Sequence, residues 1–250
     1  MKALVTGASS GIGRDMARYL SNLGYDLIIV AQREERLIEL KKKLKTNVQV
    51  ISMDLSIKEN CINLYESVKE QEIDLLINNA GFGEFGNFDE TDLEKEVKLI
   101  NTNITAVHIL TKLFLKAMKK KDKGRILNVA SVAGFAPGPL MAAYYSSKAY
   151  VLRLSQAIYT ELKKENSNVH ISVLCPGPVA TEFNDVAGVK FSLKPLSSEY
   201  VAKYAIDKTL KNRLMIIPGM LNKIMRILTK ISPTKLIARV VYKNQTRKKN

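Results

Sequence analysis

Short apolar runs alternate with longer amphipathic stretches along most of the chain. The predicted strands are Lys2–Thr6, Leu27–Val30, Val48–Met53, Asp74–Ile77, Arg125–Val129 and His170–Leu174. Apolar residues at helical spacing occupy Ile12–Leu23, Glu34–Lys45, Cys61–Glu70, Leu99–Lys119 and Ala143–Glu165. Strands that alternate with helices of about 10–20 residues are typical of βαβ units and a parallel sheet. Several strands are apolar throughout, as expected when helices cover both faces of the sheet.

The pattern therefore predicts an α/β fold: a single doubly wound, Rossmann-type parallel sheet with helices on both faces, followed by a C-terminal helical extension. The main domain is predicted to span residues 1–217, and the extension residues 218–250.

The predicted extension is amphipathic and basic. Apolar residues recur at helical spacing from Met220 to Ile231, with Lys223, Arg226 and Lys230 between them, and a second apolar set follows Pro233. Such helices can pack on the domain with a solvated lysine face, dock on an anionic membrane surface, cover a substrate cleft or contact a second subunit. Packing on the domain is favoured, and peripheral membrane contact through 218–250 comes second.

The charge of the whole chain is concentrated in the same segment. The 250 residues have a formal net charge of +15, but all 24 Asp and Glu residues lie at or before Asp207. The body is therefore nearly neutral, and the basic tail lacks an aromatic stacking platform, so nucleic-acid binding is not expected. A hydrophobic content of 46% and a charged content of 25% exclude a disordered or fibrous chain.

Cysteine usage and the N-terminus bear on the compartment. Cys61 and Cys175 are too few for a disulfide scaffold, and both are predicted to be buried thiols. The apolar run at the N-terminus breaks at Gly7, too early for a signal peptide, and no run approaches the ~18 apolar residues of a membrane span. We expect a cytoplasmic protein, with peripheral membrane contact as the open alternative.

A glycine-rich turn joins the first predicted strand to the first predicted helix. Its sequence is Thr6-Gly7-Ala8-Ser9-Ser10-Gly11-Ile12-Gly13. Glycines at this place let the backbone approach a pyrophosphate, which then lies on the positive end of the helix. The spacing differs from the common G-x-G-x-x-G motif, and a tight turn without a ligand is the competing interpretation. Because the turn opens a βαβ unit, dinucleotide binding is favoured.

The end of the second strand bears on the choice of cofactor. A carboxylate about 20 residues past the glycines would bind the ribose hydroxyls of NAD, but this strand ends Val30-Ala31-Gln32-Arg33. A planar guanidinium suits a 2′-phosphate, so Arg33 favours NADP(H) over NAD(H). The alternative is that Arg33 is a solvated charge beside Glu34 and Glu35.

Tyr144 and Lys148 are four residues apart and share one face of a predicted helix. A free tyrosine, with a pKa of ~10, is a weak catalyst at neutral pH, and a neighbouring ammonium is expected to lower that pKa. Tyr145 is a built-in control, because it has no lysine four residues later. Ser131 follows a strand, where a hydroxyl can bind a substrate carbonyl oxygen, although a turn serine is the competing interpretation.

Taken together, these motifs resemble the short-chain dehydrogenase/reductase family. The resemblance covers roughly residues 2–185 and rests on the glycine turn, the Asn78–Gly81 segment, Asn103, Ser131, Tyr144 with Lys148, and Pro176–Gly177, all in the family's order. It implies carbonyl reduction or its reverse: Tyr144 exchanges a proton with the substrate oxygen, Ser131 holds that oxygen, Lys148 supports the tyrosine and binds the ribose, and Asn103 holds a relay water.

The resemblance also implies a set of cofactor contacts. They are Gly7, Ser9, Gly11, Ile12, Gly13, Arg33, Asp54, Leu55, Asn78, Ala80, Gly81, Tyr144, Lys148, Pro176, Gly177, Val179 and Thr181. Two departures from the family weaken the NADP preference: Ser10 stands where NADP-binding members often carry a basic residue, and Gln32 stands where many carry Arg.

The family uses the region 182–199 as a substrate loop, here counted within the main domain. Apolar residues in this loop, with Phe135 and Met141, suggest a lipophilic carbonyl substrate such as a 3-oxoacyl compound or a steroid. Packing of these residues in the core is equally favoured. Members are commonly dimers or tetramers, so a homo-oligomer is expected. His108 and His170 have no partners at metal-ligand spacing, and no metal site is predicted.

The competing function is a non-enzymatic NADP-binding sensor or scaffold that its basic tail recruits to membranes. The complete set Asn103, Ser131, Tyr144 and Lys148 argues against it, because a pure binder needs no tyrosine–lysine pair.

Overall fold

The computed structural model describes residues 1–183 and 195–246. Its strands are β1 (Lys2–Thr6), β2 (Asp26–Ala31), β3 (Val48–Ser52), β4 (Leu75–Asn78), β5 (Gly124–Val129), β6 (Val169–Leu174), β7 (Val179–Ala180), β8 (Leu196–Ser197) and β9 (Met215–Ile216). Seven of them form a parallel sheet in the order β3-β2-β1-β4-β5-β6-β9, and β7 pairs with β8. The chain moves outward from the β1–β4 boundary in both directions, which places a crevice at the carboxyl ends of these two strands.

The helices are α1 (Gly11–Asn22), α2 (Glu34–Lys41), α3 (Lys58–Val68), α4 (Leu93–Ile100), α5 (Val107–Lys120), α6 (Ala142–Lys164), α7 (Ser198–Leu210), α8 (Met220–Ile231) and α9 (Thr234–Thr246). Successive strand residues point to opposite faces, so Leu4 and Val5 of β1 lie in different cores. Helices α1, α2 and α7 cover one face, and α3, α5 and α6 cover the other. The predicted doubly wound α/β sheet is confirmed.

Two predicted helices differ from the structure. The expected helix Leu99–Lys119 is divided, because the six residues Asn101–Ala106 form a π-helical segment between α4 and α5. The helix expected to reach Lys45 ends at Lys41, and a tight turn follows it. After this turn, the Lys45 amide donates to Ser21 Oγ. That contact directs the chain into β3. Both differences arise from tertiary hydrogen bonds that periodicity does not report.

The C-terminal extension consists of α8 and α9. Asn222, on the first turn of α8, is buried, and its Nδ2 donates to the Pro218 carbonyl at 2.7 Å. A Cβ placed on Gly177 would lie 2.4 Å from Asn222 Oδ1, so the extension sits directly on the segment that follows β6. None of the helices in the described ranges is long and apolar enough to cross a membrane.

Candidate active site

A cleft of about 980 Å³ opens at the carboxyl ends of the parallel strands. Most of its residues come from the turns after β1 to β6, from α6 and from the C-terminal extension. At this volume the cleft lies at the upper end of the range for small-molecule sites. The lining residues that the sequence predicts are Gly7, Ser9, Gly11, Ile12, Arg33, Leu55, Ala80, Gly81, Ser131, Tyr144, Lys148, Pro176, Gly177, Val179 and Thr181.

The glycine turn leaves the start of α1 open to an anion. Ser10, at the N-cap, has extended backbone and makes no side-chain capping bond, and the first turn of α1 carries no acidic residue. The helix therefore presents free N–H groups and its positive end to the cleft. Gly7 has φ of +65°, and its added Cβ would meet the Ala80 backbone at 2.8 Å. These observations fit the pyrophosphate of a dinucleotide, which Ser9 and the turn's amides would hold.

The turns after β1 and β4 are tied to each other. Thr6 Oγ1 accepts from the amides of Asn79 and Ala80 at 2.9 and 3.1 Å and donates to the Ile77 carbonyl. Asn79 Nδ2 donates hydrogen bonds to the carbonyls of Thr6 and Gly7. These hydrogen bonds hold the two turns together, so the floor of the cleft is built before a ligand binds. Sequence reasoning missed Asn79, although its place beside the predicted Asn78 was the available sign.

An arginine pair stands beside the glycine turn. Arg33 Nη2 lies 3.2 Å from the hydroxyls of both Ser9 and Ser10, and its Nη1 pairs with Glu182 at 3.0 Å. Arg36 binds the same carboxylate. The hydrogen bonds from Arg36 and Arg33 together hold the pKa of Glu182 below its usual value. The two guanidinium groups thus converge on one anionic group, and a phosphate could bind between them in the same way. Neither Arg36 nor this role of Glu182 was predicted.

Ser131, Tyr144 and Lys148 meet at the other end of the cleft. Ser131 follows β5 and caps a short 3₁₀ turn, accepting from the Ala133 amide, and its hydroxyl donates to the Pro176 carbonyl at 3.3 Å. Lys148 is 5% exposed, its Nζ donates to the Val129 carbonyl at 3.0 Å, and the same Nζ lies 5.7 Å from the centre of the Tyr144 ring. The helix periodicity of α6 therefore brings phenol and ammonium together as predicted.

The pKa values of this pair differ from the expectation. Burial raises the pKa of Tyr144 well above its ordinary value, and the neighbouring Ser131 hydroxyl opposes that rise. Burial also lowers the pKa of Lys148 to about 8. The expected lowering of the Tyr144 pKa by Lys148 is therefore wrong for this structure, because burial of the phenol determines the direction and the group that opposes the rise is Ser131. At neutral pH the phenol is a protonated acid beside an ammonium group.

Asn103 lies in the π-helical segment and is fully buried. Its Nδ2 donates to the Phe82 carbonyl at 2.9 Å and to Ser147 Oγ at 3.0 Å, while Oδ1 accepts from the Phe82 amide at 3.1 Å. A Cβ on Gly81 would lie 2.7 Å from Asn103 Oδ1 and 3.4 Å from Lys148 Nζ. The extra residue of a π-turn re-aims this side chain, a role that such turns often have at functional sites.

The wall beside Tyr144 is apolar. Phe85, Tyr144, Tyr145 and Phe183 pack against the buried Met141, and the rings of Tyr144 and Phe183 are 5.2 Å apart. The C-terminal extension adds further residues to this end of the cleft: Asn222, Met225, Val241, Asn244 and Gln245. Met141 is placed as expected, whereas Phe135 packs against the core beside Val151 and Leu152.

Four of the predicted site residues, Gly13, Asp54, Asn78 and Asn103, do not line the cleft. Asn78 Nδ2 bonds Thr111 and Asn128 inside the core, and the neighbouring Asn79 lines the cleft in its place. The Asp54 carboxylate is engaged by Ser56 and Lys98, whereas Leu55 faces inward. Gly13 packs against Gly7 and Asn79, and Asn103 stands behind Gly81. Residues 184–194 of the predicted substrate loop lie outside the described part of the chain.

Fold and site together define an α/β oxidoreductase with a dinucleotide cleft and a tyrosine–lysine pair. The comparisons with known proteins agree. The family model for short chain dehydrogenases matches residues 1–189. A very-long-chain 3-oxoacyl-CoA reductase of Danio rerio is 32% identical over 208 residues, which cover 80% of this chain and 64% of that protein.

Solved structures that are similar to this chain also belong to the short-chain dehydrogenases. A short-chain dehydrogenase from Sphingobium yanoikuyae in complex with NADPH has a TM-score of 0.81 and 28% identity, covering 93% of this chain and 96% of that one. A family member from Burkholderia phymatum in complex with NAD has a TM-score of 0.83 and 25% identity, covering 91% and 92%. The chain belongs to the short-chain dehydrogenase family. It is an oxidoreductase of the kind that acts on CH–OH groups with a nicotinamide cofactor.

Proposed function

We propose that the protein interconverts a ketone and a secondary alcohol on a lipophilic substrate and that it uses NADP(H). The observation that carries this proposal is the position of Tyr144, which lies beside Ser131 and Lys148 and faces an apolar wall formed by Met141 and Phe183. A 3-oxoacyl chain, a steroid-like ketone or another lipophilic carbonyl compound fits such a wall. The zebrafish relative is named for a very-long-chain 3-oxoacyl-CoA.

The protein groups supply the proton and hold the substrate oxygen. Burial keeps the Tyr144 phenol protonated at neutral pH, so it can donate a proton to the carbonyl oxygen. The Ser131 hydroxyl, once it rotates away from the Pro176 carbonyl, donates to the same oxygen, and the Lys148 ammonium stabilises the phenolate that forms. Asn103 Oδ1 has one lone pair left after its bond from Phe82, and that lone pair can hold the water that returns a proton toward Lys148. The nicotinamide, when bound, supplies the hydride.

The NADP preference is supported by the arginine pair. Arg33 and Arg36 converge on one carboxylate beside Ser9 and Ser10, and a 2′-phosphate would offer the same guanidinium groups more acceptor oxygens. The end of β2 offers no carboxylate to the ribose hydroxyls of NAD. We therefore propose tighter binding of NADPH than of NADH.

The test is NADPH oxidation with a panel of ketones, 3-oxoacyl thioesters and steroids. Tyr144→Phe should lower turnover by at least ~100-fold, the usual contribution of a general acid, while the dissociation constant for NADPH stays unchanged. Tyr150→Phe is the matched control, because that tyrosine lies on the same helix, is exposed, and its hydroxyl bonds His108 and does not line the cleft. Wild-type turnover in Tyr144→Phe would exclude Tyr144 as the general acid. No reduction of any ketone would support the alternative of a non-enzymatic NADP-binding scaffold.

The C-terminal extension supports a second proposal, peripheral contact with an anionic lipid surface. Five apolar residues of α8 are at least half exposed: Met220, Leu221, Ile227, Leu228 and Ile231. Lysines and arginines flank them, and no acidic residue follows Asp207. An amphipathic helix of this kind combines apolar insertion with attraction to anionic headgroups.

Co-sedimentation with vesicles tests this second proposal. The full chain should bind vesicles that contain phosphatidylserine, bind neutral vesicles more weakly, and lose binding in the double variant Ile227→Ser/Ile231→Ser. Equal sedimentation of the variant and the wild type would exclude docking through α8. A failure here leaves the proposed reaction untouched, because neither residue lines the cleft.

The exposed face of α4 supports the expected homo-oligomer, a dimer or tetramer. Leu93, Val97 and Ile100 are each at least 41% exposed and lie on one side of that helix. Light scattering during gel filtration should give a mass of two or four chains, and a monomer at micromolar concentration would contradict this proposal.

A further inference from the structure

Gln245 is a polar residue buried in the apolar end of the cleft. It lies on α9, most of whose residues are exposed, yet only 1% of its own surface is accessible. Its Nε2 donates to the Tyr145 hydroxyl at 3.0 Å and to Met141 Sδ at 3.5 Å. Its Oε1 has no hydrogen-bond partner among the residues that the structure describes. The extension therefore delivers one unpaired acceptor to the substrate end of the site.

The neighbours of Gln245 hold its carboxamide in one position. Tyr145 cannot move aside easily, because its ring packs directly on Gly138, where an added Cβ would lie 2.0 Å from the ring. Met141 is 4% exposed and packs in the cluster that contains Tyr144 and Phe183. The carboxamide is thus pre-organised beside the residue next to the general acid.

A fixed acceptor without a partner in an apolar wall needs an explanation. Buried polar groups are nearly always hydrogen-bonded, because an unpaired one loses its water without compensation. Gln245 lines the cleft, so a molecule bound beside Tyr144 can supply the missing donor. The surrounding side chains Met141 and Phe183 would contact the apolar parts of the same molecule.

We propose that Gln245 is a substrate-recognition residue whose Oε1 accepts a hydrogen bond from an O–H or N–H group of the substrate. The substrate is then a lipophilic ketone that also carries a hydroxyl or a secondary amide away from the carbonyl that is reduced. A 3-oxoacyl thioester with an amide in its thiol arm and a hydroxylated ring ketone both meet this description. The inference rests on the proposed function, because it assigns the specificity of the same site.

The experiment compares matched ligands that differ only in the donor. One pair is a 3-oxoacyl thioester with an amide in its thiol arm and its analogue with an ester oxygen in place of the amide N–H. The other pair is a hydroxylated cyclic ketone and its methyl ether. Dissociation constants are measured by calorimetry on Tyr144→Phe with NADPH present, so that recognition is separated from turnover, and kcat/KM is measured on the active enzyme.

With Gln245 present, the donor-bearing member of one pair should bind about three- to tenfold more tightly, the range for one neutral hydrogen bond. The pair that shows the preference identifies the donor as amide or hydroxyl. Gln245→Met, which has similar length and no acceptor, should reduce that ratio to about one and leave the dissociation constant for NADPH unchanged. Tyr242→Phe, an exposed change on the same helix, should keep the ratio.

Equal affinity within both pairs when Gln245 is present would overturn the assignment, and so would a ratio that persists in Gln245→Met. The first of these results needs no substitution at Gln245, so it decides even if that variant does not fold. Tyr145→Phe is a second variant, expected to weaken the discrimination because it removes the hydroxyl that positions the carboxamide. If the enzyme reduces ketones but does not distinguish the members of either ligand pair, only this inference is contradicted. If it binds the donor-bearing ligand more tightly but reduces no ketone, only the proposed reaction is contradicted.

Discussion

Replacing Glu182 by Gln is expected to tighten the binding of NADPH and to leave the binding of NADH unchanged. The Glu182 carboxylate pairs with Arg33 at 3.0 Å and also with Arg36, and Arg33 in turn touches the serines of the glycine turn. A 2′-phosphate that uses these guanidinium groups must displace the carboxylate. Removing its charge removes that competition. NADH has no 2′-phosphate, so it gains nothing from the change.

The size of the effect follows from the exposure of the three side chains. Arg33, Arg36 and Glu182 are 43–45% exposed, so each ion pair is worth only about 0.2–1 kcal/mol in water. Two such pairs give ~0.5–2 kcal/mol, which corresponds to an increase of about two- to thirtyfold in NADPH affinity. The gain should shrink as salt is added, because exposed charges are screened.

Fluorescence titration of both cofactors against wild type and Glu182→Gln measures the effect. Glu165→Gln is the matched control, because Glu165 makes an equally exposed ion pair with Lys119 on another surface. Weaker NADPH binding in Glu182→Gln would mean that the carboxylate holds the arginines in place and does not compete with phosphate. An equal gain for NADH would show that the 2′-phosphate is not the group bound there.

Two further predictions concern stability. The pKa of Lys148 falls from 10.5 in the unfolded chain to about 8 in the native state, so between these values the unfolded chain binds more protons. The free energy of unfolding should therefore rise from pH 7 to pH 9.5 by about 2 kcal/mol more in wild type than in Lys148→Met, and parallel denaturant-derived curves would refute this. Gly13→Ala should unfold at a lower temperature and lose NADPH affinity, because its Cβ would lie 2.4 Å from the Gly7 carbonyl oxygen. Gly24→Ala is the control, because its Cβ would meet nothing within 4 Å. It should lose about 1 kcal/mol of stability, because an alanine there must adopt a φ of +84°, and it should bind NADPH normally. An equal loss of NADPH affinity in both variants would contradict the steric argument.

The order of strands and helices could be predicted because it follows from periodicity and from the rules of βαβ units. The glycine turn, Ser131 and the pair Tyr144 and Lys148 line one cleft, and the sequence could bring them together because each depends on local spacing at a strand end or along one helix. The NADP preference, the domain boundary near 217 and the residue roles stay predictions.

The features that were not predicted depend on contacts across the fold. The π-helical segment forms where Asn103 bonds the backbone of Phe82, which no window of sequence reveals. Neighbouring residues at the end of a strand point to opposite sides, so the exact residue at which β4 ends determines whether Asn78 or Asn79 faces the cleft. The raised pKa of Tyr144 follows from the burial of the ring, which spacing to Lys148 does not give.

The contact between Gln245 and Tyr145 also orders events during synthesis. The two residues are 100 positions apart, so the catalytic helix leaves the ribosome well before the residue that completes the far wall of the cleft. At about 5–20 residues per second, that interval lasts roughly 5–20 s. A nascent chain can therefore assemble the glycine turn and the strand ends early, whereas the wall beside Tyr145 is complete only after α9 docks.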